Sequence, residues 1–249
     1  MRRSAILMLA AMFVSSCASF VDSVQQTAHV KVQQFLADQF GQRLTNGIDS
    51  VVGQLAAKGG FLDDPLVRIL LPPPLGLAIG IARDVQKNPQ AALLETLINQ
   101  AAEHTIPAAG PALKNIVTNM DAPTLENLLD AGNTAATDYL KEKGGAVVRE
   151  ALVPAITEEL HLNGAVELYG RLQEARETAD QAIAAAADVQ QQIETAQQQA
   201  EAVQAVTQEQ LGRYVADQAL SGLFKKVADA ELSIRENGGG DGVLSIFED

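Results

Sequence analysis

The sequence predicts an all-α protein, a single irregular multi-helix bundle, on three observations. Apolar residues recur at helical spacing along most of the chain. Ala, Leu and Gln are plentiful, aromatic residues make up 4% and Trp is absent, a composition that suits helices. Pro and Gly cluster in short stretches that bound the periodic segments. The chain divides into a signal peptide (1–16), an anchored N-terminal helical segment (17–39) and a helical domain (40–249) with an Ala/Gln-rich elaboration at 174–206.

The first segment is a delivery signal. Arg2 and Arg3 form a positive start, Ala5 to Val14 an apolar run too short to span a bilayer, and Ser15-Ser16 precede Cys17, the one cysteine in the chain. This arrangement resembles the bacterial lipoprotein signal. The resemblance implies lipidation of Cys17 on sulfur, cleavage before it, and attachment to a membrane through its acyl chains. Each buried methylene holds about 0.8 kcal/mol, so two or three chains make release negligible. Ala18 stands where lipoproteins retained in the inner membrane commonly carry Asp. The expected location is therefore periplasm-facing, on the outer membrane in preference to the inner.

Removal of residues 1–16 leaves 233 residues and takes the net charge from −13 to −15. So acidic a body does not suit nucleic acid or an anionic membrane surface. With one cysteine, an intramolecular disulfide and a zinc–thiolate site are both excluded.

A helix is expected over 18–58, where Leu36, Phe40, Leu44, Ile48 and Val52 recur every fourth residue and Phe35, Val51 and Leu55 widen the stripe. Gly41, Gly47 and Gly53 interrupt it at a cost of about 1 kcal/mol each against Ala. Gly59-Gly60 ends it. Phe61 to Leu75 holds four prolines and reads as an extended crossing packed against helices. Leu75 to Lys87 reads as a short helix. Asn88 with Pro89 caps the next, to about Ile106. Pro107 and Pro111 bracket the start of one ending near Asn119. Asp121 caps another, with Leu125, Leu128 and Leu129 inward and Gly132 closing it. Ala135 to Lys143 and Ala146 to Leu160 read as two helices, Pro154 kinking or restarting the second. Gly164 to Gln173 begins a further helix. Over the Ala/Gln-rich stretch 174–206 and the turns before it, a heptad seam can be read through Leu168, Leu172, Ala175, Ala179, Ala182, Ala186, Val189, Ile193, Ala196, Ala200 and Val203. Either a projecting arm or a long helix lying on the body satisfies it. Gln208 to Asn237 is amphipathic, Gly238 to Gly242 breaks it, and Val243 to Phe247 forms an apolar tail expected to dock.

Four pieces of this chain resemble the bacterial family catalogued as domain of unknown function 4197. They are Gly60-Phe61-Leu62 with the Asp-Pro and Leu-Pro crossing; Asn99-Gln100-Ala101-Ala102-Glu103, Met120-Asp121-Ala122 and Ala135-Ala136-Thr137; Tyr214-Val215 with Ala219 to Phe224; and Glu231 with Ile234 to Asn237, closing on Phe247. The resemblance implies an all-α envelope protein, often a lipoprotein, with no established activity. Ala230-Glu231 departs from the family's paired Glu, and Ala216 from its Thr after Tyr-Val.

Chemistry-bearing constellations are sparse. His29, His104 and His161 fall on separate helices without metal-ligand spacing. Glu158, Glu159 and His161 sit together near a helix end, which reads as a solvated terminus rather than a metal site. Asp63 and Asp64 read as ordering the turn before Pro65, not as a catalytic pair. Gly238 to Gly242 lacks the ending of a phosphate loop. No catalytic, cofactor-binding or metal residue is therefore assigned, and lipidation at Cys17 is the one site with nameable chemistry. Arg68, a lone cation among apolar residues, needs a partner, with an internal carboxylate preferred to a ligand anion. Glu231 and Arg235 are spaced for an i,i+4 pair. Gly222 and Ala135-Ala136 permit close helix approach. The functional expectation is a non-catalytic, lipid-anchored interaction or structural module of the envelope with a protein partner there. A binder of a lipid or other apolar molecule under the Leu66–Leu75 crossing is the alternative, and an unrecognised hydrolase a third. The sequence sets neither the partner nor the oligomeric state.

Overall fold

The computed structural model describes residues 31–73, 75, 88–185 and 205–238. Cys17, the Leu75–Lys87 helix after its first residue, most of the Ala/Gln-rich stretch and the Val243–Phe247 tail lie outside the described residues. Helices dominate the described residues, and no strand occurs among them. Helix α1 covers 31–56. After the crossing come α2 (Pro89–Thr105), a 3₁₀ turn (Ile106–Ala108), α3 (Ala109–Thr118), α4 (Ala122–Asp130), α5 (Ala135–Leu162) and α6 (Ala165–Ala185). A 3₁₀ turn (Gln208–Gln210) then leads into α7 (Leu211–Gly238).

The centre of the bundle is α5. Ala136, Leu140, Gly144, Val148, Leu152, Ile156 and Leu160, a strict every-fourth-residue ladder, are all buried. At 3.6 residues per turn such a ladder drifts about 40° around the helix at each step. A helix that buries it must be contacted from successive sides. That is the arrangement here: α5 packs against α2, α3, α4, α6 and α7. The two helices expected over 135–160 are thus one. Gly144 stays helical because its lack of a side chain is needed, since a Cβ there would lie 2.6 Å from Ile116 Cδ1 of α3. Pro154 is carried by the packing of Leu152 and Ile156 on either side of it. The same ladder recurs in α7, through Leu211, Val215, Ala219, Leu223, Val227 and Glu231.

Helix α1 runs unbroken through Gly41, Gly47 and Gly53, and Phe40, Leu44, Ile48, Val52 and Leu55 are core. Gly41 faces Leu125 of α4 and Gly47 faces Ile234 of α7 at 3.2 Å, so two of the interruptions are close-approach points. Phe35, expected on the buried stripe, is 60% exposed, because burial begins only at Ala37. Gly59 adopts φ +81°, the left-handed conformation that ends a helix.

Both sequence-assigned caps form. Asn88 Oδ1 accepts from the N–H groups of Gln90 and Ala91, and Asp121 Oδ1 from that of Thr124. Of the leucines expected inward on α4, Leu125 is core, while Leu128 and Leu129 are half-buried.

The crossing is a lone extended segment. Val67, Ile69 and Leu71 point inward and Leu66, Arg68 and Leu70 outward, the period-two alternation of a strand. It has no neighbouring strand among the described residues, so helix side chains satisfy its backbone. Asn99 of α2 takes the Ile69 N–H on Oδ1 (2.9 Å) and gives Nδ2–H to the Ile69 carbonyl (2.8 Å). Tyr214 of α7 donates to the Leu70 carbonyl. Gly222 of α7 meets this segment, a Cβ there lying 3.1 Å from Val67 Cβ, so the close approach it permits is to the crossing and not to another helix.

From Glu174 onward α6 leaves the body, and Glu174, Ala175 and Glu177 to Gln181 are exposed. Of the heptad seam, Leu168 and Leu172 are core, while Ala175 and Ala179 are exposed and the later positions lie outside the residues whose side chains are described. The chain reappears beside its point of departure: the Val206 carbonyl accepts from Tyr169 Oη (2.7 Å) and Gln173 Nε2 (3.0 Å). Burial above all pushes the Tyr169 phenol up to about 12.

Candidate functional site

Four buried or half-buried carboxylates and amides stand first in any search for chemistry, and each is consumed by the backbone or by a cation. Glu103 Oε1 accepts from the N–H groups of Phe61 and Leu62, both at 3.2 Å, pinning the turn after α1 to α2. Asn99, one helical turn earlier, holds Ile69 as described. Glu95, another turn earlier, faces Arg68 at 3.8 Å, and Arg68 Nε also donates to the Leu62 carbonyl at 2.5 Å. Arg68 therefore has the internal carboxylate expected of it. Burial raises the Glu95 carboxyl above its ordinary range, and the Arg68 charge opposes that shift.

Glu231 is the most enclosed. It accepts from Ala136 N–H (3.0 Å), Thr137 N–H (2.7 Å) and Thr137 Oγ1 (2.7 Å). These are the second and third residues of α5, whose own N-cap residue, Thr134, makes no side-chain cap. A carboxylate at a helix N-terminus satisfies orphan donors and favours the positive dipole end. Arg235 donates to Glu231 Oε1 from Nε and from a terminal nitrogen (3.0 and 2.6 Å). Its other hydrogen bonds reach the carbonyls of Leu128 and Leu129 in the last turn of α4, and its guanidinium lies 4.9 Å from the Phe40 ring centre. The expected i,i+4 pair forms, and it is a buried joint between the start of α5 and the end of α4. Ala136 serves that joint.

The remaining candidates separate. Glu159 pairs with His104 (2.9 Å), whereas His161 lies 4.0 Å from Glu167, so the Glu158–Glu159–His161 group does not converge. Among the described residues no three His, Cys, Asp or Glu side chains are grouped to hold a metal. Asp64 Oδ1 accepts from Leu66 N–H across Pro65, the expected turn, and Oδ2 meets Lys226 at 2.5 Å. The Lys226 hydrogen bond, helped by the Leu66 N–H, lowers the Asp64 carboxyl. Beneath the crossing, Val67, Ile69 and Leu71 are themselves core beside Phe61.

A groove of about 570 Å³ between α5 and α7 is absent from the sequence-based expectations. Its volume is within the range of small-ligand sites. Small residues make it: Gly145 and Ala146 on α5 and Ala228 on α7 leave a furrow whose floor is Leu220 and Phe224. Its rim carries Lys141, Lys225, Asp138 and a bidentate pair in which Arg149 donates from Nε and a terminal nitrogen to Asp217 (2.5 and 3.0 Å). The Asp217 hydrogen bonds raise the Arg149 guanidinium. Among its described lining residues are Ser221 and two threonines but no histidine or cysteine. An apolar floor thus lies under a rim of mixed charge, in which Arg149 is already neutralised by Asp217. The small residues that line it, Gly145, Ala146 and Ala228, are visible in the sequence, but the antiparallel pairing of α5 and α7 that brings them to one groove is a tertiary fact. A smaller hollow of about 330 Å³ is lined by Thr157, His161, Gln208 and Gly212.

These features define an all-α bundle whose buried polar side chains staple an extended crossing and two helix ends. Residues 33–242 match the family described as protein of unknown function (DUF4197), and the chain belongs to that family. No curated protein and no solved structure matches it. The four resembling pieces fall into partnerships in the structure. Asn99 and Glu103 hold the Phe61–Leu71 crossing, Tyr214 and Gly222 close on its other side, and Glu231 with Arg235 joins Ala136-Thr137. No described helix is long and apolar enough to cross a membrane.

Proposed function

We propose that this protein is a lipid-anchored component of the bacterial envelope, periplasm-facing, held by acyl chains on Cys17. On this reading it works without catalysis, as an interaction module whose contact surface is the α5–α7 groove. The observation that carries the reading is the fate of the buried polar groups. Glu103, Asn99 and Glu231 each spend their hydrogen-bonding capacity on backbone groups or on Arg235, as structural staples do. The groove, by contrast, presents Lys141 and Ser221 to solvent over an apolar floor. Attachment rests on lipid alone, since the cleaved chain's net charge of −15 adds no attraction to anionic headgroups. Ala18 after Cys17 supports outer-membrane location.

Two measurements test it. Intact-mass analysis of the protein purified from membranes should show acylated Cys17 at the mature terminus; an unmodified thiol would overturn the anchor. A photo-crosslinking residue at Lys141 in intact cells should capture one defined envelope protein that the same residue at Glu158 does not. Equal capture at both positions would overturn the assignment of the groove.

A further inference from the structure

Two apolar side chains on α1 point away from the bundle. Ala37, Leu44, Ile48 and Leu55 are fully buried, and at 3.6 residues per turn they fall within about 20° of one another around the helix. By the same measure Val32 lies about 140° and Phe35 about 160° from Ala37. They share the face opposite the core, 46% and 60% exposed. Packing of α1 on the bundle therefore leaves both in solvent.

Their place in the fold gives them meaning. They belong to the first turns of α1, and residues 18–30 are all that separates Lys31 from Cys17. Arg235 lies over the Phe40 ring and pairs with Glu231, which caps the start of α5. The starts of α1 and α5 thus lie at one end of the bundle, the tethered end. Leu162, also exposed, closes α5, about 42 Å from that end along the helix. Lys31 is exposed beside Val32, and the next charge along α1 is Asp38. An aromatic ring and an aliphatic side chain with a lysine at their flank suit a helix end lying at headgroup depth. The acidity of the whole chain makes zwitterionic headgroups, not anionic ones, the matching surface.

We propose that Val32 and Phe35 make a direct contact with the bilayer, dipping into the interface of zwitterionic lipid and setting how the body stands on the membrane. The proposal rests on lipidation of Cys17 and goes beyond it. Acyl chains hold the protein at the surface, whereas this contact decides which way it faces.

The chain contains no tryptophan, so a single introduced one reports its own surroundings. Phe35→Trp and, as reference, Leu162→Trp are made in the full chain, purified as the lipidated protein and reconstituted into phosphatidylcholine vesicles with or without bromine on the acyl chains. Flotation of the vesicles reports attachment separately. Phe35→Trp should emit to the blue of Leu162→Trp and be quenched at least twofold by brominated lipid, with Leu162→Trp unquenched. Protein that floats while Phe35→Trp stays unquenched would overturn the proposal and leave the anchor standing. Equal quenching at both positions would overturn it as well. Protein that does not float would remove the anchor and this contact together. Free in solution, Phe35→Trp combined with Cys17→Ser should emit as a solvent-exposed tryptophan; a blue-shifted emission there would put protein, not lipid, over position 35 and sink the proposal.

Discussion

Thr137 gives Glu231 both its backbone N–H and its hydroxyl, each at 2.7 Å, across 94 residues of chain. With Arg235 on the other oxygen, the carboxylate is the N-terminal cap of the central helix and the anchor of the guanidinium that caps α4. Removing one partner of a buried pair leaves the other uncompensated, at about 3–5 kcal/mol. Glu231→Ala should lower the unfolding free energy by about that amount, with Glu231→Gln costing less because an amide oxygen still accepts. Urea denaturation of the two variants measures it; a loss below about 1 kcal/mol for the alanine variant would mean a solvated surface pair.

Two glycines near the end of α1 should respond in opposite directions to the same change. A Cβ on Gly53 meets nothing within 4 Å, and the residue is exposed in the last turn of α1. Gly53→Ala should stabilise by about 0.5–1 kcal/mol. A Cβ on Gly60 would collide with the carbonyl oxygens of Gln54 and Leu55, backbone atoms that cannot rotate away. Gly60→Ala should destabilise by about 2 kcal/mol or more. Thermal unfolding of the pair decides it, and a common sign would contradict the geometry.

Acidification should reveal the cost of burying Glu95. Burial raises its carboxyl above the ordinary carboxylate range, with Arg68 opposing. The folded state therefore binds this proton more tightly than the unfolded state, and the contribution of Glu95 to stability falls as pH rises through that window. Glu95→Gln should be more stable than the parent at pH 7, and the gain should disappear below about pH 4, where the parent's carboxyl is protonated in both states. Asp64, lowered by Lys226, has the opposite sign: its stabilisation is present above the ordinary carboxylate pKa and is lost as pH falls. Denaturation curves of the Glu95→Gln and Asp64→Asn variants across pH 3–7 should slope in opposite directions relative to the parent. A pH-independent Glu95→Gln difference would refute the assignment.

Local features are legible in the sequence. The caps at Asn88 and Asp121, the Asp64–Pro65 turn and the α1 stripe each depend on residues within one or two turns of one another. The unbroken α5 is not, because Gly144 and Pro154 read as breakers until the packing of Ile116 and Ile156 is known. Glu231 misleads for a subtler reason. It occupies the sixth step of the buried ladder that starts at Leu211, yet a charged residue i,i+4 from an arginine reads as surface. Burial of its position is written in the periodicity; its partners Ala136 and Thr137, nearly a hundred residues away, are not. The α5–α7 groove depends on which faces of two helices meet, information that no single helix contains.

The return of the chain at Val206, hydrogen-bonded to the same turn of α6 from which it departs, makes residues 174–205 an excursion with one shared doorway. The entropy of closing such an excursion grows only slowly, by about 0.6 kcal/mol for each doubling of its length. Tyr169 and Gln173 thus isolate the folding of the core from whatever is threaded between them. Selection could lengthen, shorten or rewrite that stretch at little thermodynamic cost to the body, and an engineer could place a reporter domain there for the same reason.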